Sequence, residues 1–172
     1  MDRIQGHRVG MAVLVLAAVF LLFAGVAPAQ QAPRLELKTT AQKEVKVKRQ
    51  GKWVTETVPA DKTGPGDVLV YTIAYLNTGR TPAHEARIEN PVPRGAVLIP
   101  ESPAGVDADV TCSIDHGRTW YKPPVMVQVK NAAGKEVVQP APAERYTHIR
   151  WVIKKPVLPG QSGRVSFKAT VR

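Results

Sequence analysis

The stretch from Gly66 to Leu98, GDVLVYTIAYLNTGRTPAHEARIENPVPRGAVL, constrains the fold of this chain more than any other. Its first run alternates, with Leu69, Tyr71, Ile73 and Tyr75 on one side and Val68, Val70, Thr72 and Ala74 on the other. Period two in β-branched and aromatic residues specifies a strand packed on a core. Asn77-Thr78-Gly79 breaks the run, because Asn and Gly tolerate the left-handed conformation a turn needs. Ala86 and Ile88 then alternate with Glu85, Arg87 and Glu89 as a second strand. Asn90-Pro91-Val92-Pro93-Arg94-Gly95 stops that strand, since each proline removes a ladder donor.

The same punctuation runs through the rest of the chain. Leu35 and Leu37 alternate with Glu36 and Lys38, which predicts a short strand in an N-terminal segment, residues 30–42. Lys43 to Arg49, a Gln50-Gly51 turn and Lys52 to Val58 predict a β-hairpin. Pro59 to Pro65 reads as a linker, and Val97 to Ile99 as a strand closing that half. Glu101 to Ala108 reads as a loop and Val110 to Ile114 as a strand, with Thr119 to Tyr121 as its return. Val125, Val127 and Val129 open a further hairpin that turns at Asn131 to Gly134 and returns over Glu136 to Val138. Ile149, Trp151 and Ile153 alternate with His148, Arg150 and Val152, and Val165, Phe167, Ala169 and Val171 form the inward side of a last strand. No stretch after residue 29 sustains a helical period. Short strands with turn signals about every 8–12 residues predict an all-β, immunoglobulin-like antiparallel sandwich over residues 43–172.

Two later segments, Tyr146-Thr147-His148-Ile149-Arg150-Trp151 and Leu158-Pro159-Gly160-Gln161-Ser162-Gly163-Arg164-Val165-Ser166-Phe167, complete a pattern begun by Gly66 to Leu98. Together they resemble the bacterial conserved-repeat family called domain of unknown function 11. The resemblance covers most of Lys43 to Arg172. It implies an immunoglobulin-like β-sandwich on or outside the cell envelope, and it implies no reaction. Many members carry tandem copies, whereas this chain has one and no internal repeat.

The N-terminus points to the same compartment. Arg3 and Arg8 precede an uncharged apolar run, Met11 to Phe23, and Ala27-Pro28-Ala29 supplies small residues for a signal peptidase. Residues 1–29 are expected to be a secretory signal cleaved after Ala29, leaving 143 of 172 residues (172 − 29). The competing reading is a retained anchor, since Val9 to Ala27 nearly reaches the ~20 apolar residues a span needs. No Cys follows the run and no twin arginine precedes it, so neither a lipid anchor nor folded export is expected. Cys112 is the single cysteine, so the domain must hold together through its core, without an internal disulfide. Its place on the apolar side of Val110 to Ile114 predicts a buried, inert thiol. Removing Asp2, Arg3 and Arg8 with the signal takes the formal charge from +10 to +9. Such a surface attracts anionic polymers, without choosing among them.

Candidate chemistry is sparse. The lysines of Lys43 to Arg49 alternate with valines. They either protect an exposed strand edge or, with Lys43, Lys46, Lys48, Arg49 and Lys52, make a basic contact face for an anionic ligand. Ser113-Ile114-Asp115-His116-Gly117-Arg118-Thr119-Trp120 matches the Asp-box, S-x-D-x-G-x-T-W, known from sialidases and other β-propellers. In such a box Asp accepts from turn donors and Gly takes the left-handed conformation, so Ser113, Asp115, Gly117, Thr119 and Trp120 are read as a structural turn. One box cannot supply the several blades of a propeller. Trp120 and Tyr121 are candidates for a flat glycan platform. Asp107, Asp109 and Asp115 lack EF-hand spacing, and His84, His116 and His148 lack zinc-ligand spacing. No nucleophile elbow, phosphate-cradling glycine loop or His-Glu-x-x-His is present. Trp53 beside Lys52 is the one hint toward nucleic acid, and it would serve equally to cover the core. The expectation is a non-catalytic exported module without cofactor or metal, whose partner is an envelope protein or an anionic surface polymer. The alternative is an accessory carbohydrate-binding module working with a separate enzyme.

Overall fold

A computed structural model describes residues 32–172 of the chain. The expected signal segment, residues 1–29, lies outside the described residues. Eleven strands follow in order: β1 Leu35–Arg49, β2 Lys52–Pro59, β3 Val68–Asn77, β4 Arg87–Pro91, β5 Ala96–Leu98, β6 Ala104–Gly105, β7 Ala108–Ser113, β8 Met126–Lys130, β9 Glu136–Pro140, β10 His148–Ile153 and β11 Ser162–Val171. One 3-10 turn, Ala143–Arg145, precedes β10. All pairing is antiparallel. The larger of the two main sheets runs β2-β1-β3-β11-β5, with β6 also on β11, and the smaller runs β4-β10-β7; β8 and β9 pair as a separate two-stranded sheet. The expected antiparallel β-sandwich is thus the architecture of the described residues.

The core is made by the period-two alternation. β3 turns Leu69, Ile73 and Tyr75 inward, β10 turns Ile149, Trp151 and Ile153, and β11 turns Val165, Phe167 and Ala169. Tyr71 stacks on Phe167 with ring centroids 4.8 Å apart. Aromatic pairs of this kind add about 0.5–1.5 kcal/mol beyond their buried area. Asn77 is fully buried; its amide donates to the Thr81 and Val157 carbonyls, both at 2.8 Å, and its Oδ1 accepts from the Gly79 N–H. The turn residue read from sequence is therefore also a clamp between distant loops.

β1 differs from expectation. Two strands were expected, over Leu35 to Lys38 and from Lys43, but one strand crosses both. Thr39-Thr40-Ala41-Gln42 contains no Gly or Pro and carries two β-branched residues, so nothing ends the ladder there. The return strand expected at Thr119 to Tyr121 shrinks to one bridge, Cys112 to Tyr121. The loop Glu101 to Ala108 contains the two-residue β6, laid on β11 at Val165 and Ser166.

Candidate functional site

Pairing along β1 changes sides part-way. Leu35 to Lys43 pair with β3 and Gln42 to Arg49 pair with β2. Among the described residues only Gln42 and Lys43 are flanked on both sides, so β2 and β3 lie on opposite edges of β1. Past Lys43, β1 and β2 continue as a two-stranded ribbon. At ~3.3 Å per residue it runs about 20 Å beyond the paired body of the sheet. No residue of the ribbon belongs to the hydrophobic core. Its tip is a two-residue turn with φ of 49° at Gln50 and 81° at Gly51. Positive φ at both central residues defines the type I′ turn, whose twist matches that of the flanking strands.

The register distributes the predicted basic residues over both faces. Lys48 pairs with Trp53 and Lys46 with Thr55 on one face. Lys43, Arg49 and Lys52 lie on the other, with Val45, Val47, Val54 and Val58. Three of the five remain without an ion pair among the described residues: Lys46, Lys48 and Lys52. Arg49 is engaged with Glu56, Nε to Oε1 at 2.8 Å and Nη2 to Oε2 at 3.2 Å, a bond that also raises its pKa. Lys43 serves as a root anchor. Its Nζ lies 2.8 Å from Asp67 Oδ2, which also accepts from the Gly64 N–H at 2.8 Å. A second anchor, missed in the sequence, joins Glu44 to Lys168 on β11. Nothing in the local pattern signals that pair, because it spans 124 positions. Trp53 does not cover the core: it is 70% exposed, and with Lys46, Val54 and Thr55 it borders a shallow recess.

The Asp-box turn forms as its residues suggest. Ser113 Oγ donates to Asp115 Oδ1 at 2.7 Å and accepts from the N–H groups of Asp115 and Gly117. Asp115 Oδ1 accepts from the Thr119 N–H at 2.9 Å, and Oδ2 accepts from the Thr119 hydroxyl. These bonds hold the Asp115 carboxyl well below the usual carboxylate range, the Thr119 hydroxyl contributing most. His116 and Gly117 carry the positive φ values, 62° and 81°. Trp120 lies over the Arg150 guanidinium, 3.7 Å from ring centroid to Cζ, and edge-on to His148. Arg150 and His148 belong to the outward side of β10, whereas Tyr121 bridges to Cys112, a core residue. The two rings of the expected glycan platform therefore do not share a face.

The remaining candidates are accounted for pairwise. Asp107 binds Lys155 and Asp109 binds Lys154, each at 2.8 Å, while Asp115 is held inside its turn. Among the described residues no group of three or more His, Cys, Asp or Glu is placed to hold a metal ion. His116 and His148 approach to 6.4 Å between ring centroids, a proximity that their spacing in the chain does not reveal. His84 is exposed and borders a shallow depression with Leu35 and Ala86. A cleft of about 600 Å³ opens beside Tyr75, Asp107, Lys155, Gln161 and Arg164, with the Asp107–Lys155 ion pair in its wall. Compared with protein-family models, with curated proteins and with solved structures, the chain matches none.

Proposed function

We propose that this chain is a non-catalytic exported module of the immunoglobulin-like class that binds an anionic polymer of the cell envelope through the β1–β2 ribbon. The observation that carries the reading is the ribbon itself. Lys46, Lys48 and Lys52 stand outside the core without counter-ions among the described residues, beside a Trp53 that is 70% exposed. An indole held in water costs a soluble domain apolar exposure without a folding return, which suits a contact residue. The lysines supply a strongly hydrated, adaptable positive surface suited to an irregular polyanion rather than to one shaped ligand. Residues 1–29, read as a signal, provide the route to that compartment.

The test uses immobilised heparin as an acidic-polysaccharide probe. Retention should fall steeply between about 50 mM and 500 mM salt, because exposed charges are screened within about 10 Å at 0.1 M. The triple variant Lys46→Glu, Lys48→Glu, Lys52→Glu should abolish retention while leaving the melting temperature within about 3 °C, the range expected of surface substitutions. Retention that is flat with salt, or unchanged in the triple variant, rejects the reading.

A further inference from the structure

The other half of β1 carries a second surface. Among the described residues, Leu35 to Ala41 pair with β3 alone, since β2 stops at the level of Gln42. The Arg34 carbonyl accepts from the Thr78 N–H at 2.9 Å. In the antiparallel alternation, Glu36, Lys38 and Thr40 therefore direct their backbone groups to β3. Leu35, Leu37, Thr39 and Ala41 direct theirs to the open edge. The edge contains no proline and is straddled by Leu37, 51% exposed. An open edge of this kind is a template for a further strand.

We infer that this edge pairs with the same edge of a second copy, antiparallel about a two-fold axis at Leu37. Charge and sterics select that register. With Leu37 opposite Leu37, Glu36 falls opposite Lys38 and Lys38 opposite Glu36, so two ion pairs form across the axis. Shifting by one hydrogen-bonded step in one direction sets Lys38 against Lys38; the other direction sets Glu36 against Glu36. Like charges directly opposite destabilise a ladder. The second copy's Gln42, where its β2 ends, comes opposite residue 32, just beyond the strand, and a further shift toward Ala41 would drive β2 into the facing strand. On the inward side Leu37 meets Leu37, and Leu35 meets Thr39, so the exposed leucine is covered. The pairing joins two larger sheets into one continuous sheet and points the two ribbons in opposite directions. Their tips then stand about 80 Å apart, at ~3.3 Å per residue from Leu37 to Arg49 in each copy. The paired edge is short, so association belongs to the weak, concentration-dependent class.

Sedimentation equilibrium of the purified protein tests this directly, independently of any polymer binding. A monomer–dimer equilibrium is expected. Glu36→Lys and Lys38→Glu should each weaken it about tenfold or more, by setting like charges opposite one another at both symmetry-related positions. The swapped double variant E36K/K38E should restore it. Thr39→Pro removes an N–H that faces the open edge, leaves the β3 ladder intact, and should abolish the dimer. A protein monomeric up to about 1 mM overturns the inference. So does a dimer indifferent to the single charge reversals, or one that the double swap fails to restore.

Discussion

Cys112 has no solvent exposure, and burial pushes its thiol up to about 11. The thiolate is the reactive form, so the side chain should stay protonated and unlabelled at pH 8. A thiol reagent such as Ellman's should react with less than about 5% of the protein when native and completely in guanidinium, given how little thiolate a group with that pKa holds. Ser113 is equally buried but polar, and it satisfies two turn N–H groups. Ser113→Ala should cost about 1–3 kcal/mol in urea unfolding, the penalty for buried donors left without a partner. Gly163 shows a different constraint. It lies opposite Tyr75 in the β3–β11 ladder, and a Cβ there would overlap the Tyr75 ring. Gly163→Ala should destabilise by about 1–3 kcal/mol or more, as overpacking does. At this scale the sequence was legible where the signal was local. Ser113, Asp115, Gly117 and Thr119 interact within a few positions of one another, so their spacing encodes their geometry. Arg150 beneath Trp120 joins residues 30 positions apart through the sheet register, and only the fold brings them together.

The ribbon obeys its turn and its root separately. Gln50 adopts a positive φ that Asn tolerates better, so Gln50→Asn should raise the melting temperature slightly, by about 1 °C. At the root, the Lys43 ammonium and the Gly64 N–H hold the Asp67 carboxyl below its ordinary value. A depressed carboxyl stabilises the folded state above the unfolded pKa, about 3.9, and that contribution fades as pH falls through the lower folded value. The difference in melting temperature between the native protein and Asp67→Asn should therefore be present at pH 7 and vanish toward pH 2. A difference that grows on acidification would contradict the anchor. The hairpin, its turn and its alternating lysines were all readable as an element, because period and turn chemistry are local. The pairing of β1 with β3 on its other side was not, because it rests on contacts between segments separated by a linker. The interruption expected near residues 39–42 had the same origin: the pattern loses its charges there, but no residue breaks the backbone.

For the whole molecule, the alternating patterns placed the core correctly because inward positions of β3, β10 and β11 repeat every second residue. What they could not give is the unequal width of the two main sheets, six strands against three. β2 and β1 end the six-stranded sheet on one side, and among the described residues Trp53 on the ribbon and Leu37 on the β1 edge stay exposed. Replacing residues 46–55 by a two-residue turn should leave the urea midpoint within about 0.3 M, since no core contact is lost and surface changes cost little. Heparin retention should disappear in the same variant. A large loss of stability would mean that the ribbon supports the sandwich. The continuity of β1 has a mechanical meaning as well. A polymer gripped at the tip and pulled outward draws on the same unbroken strand that runs beside β3. Load along that axis shears the whole row of ladder hydrogen bonds at once, because they lie across the pull, instead of peeling them one after another from an end. On the proposed tip contact, tension would fall on that whole row of hydrogen bonds.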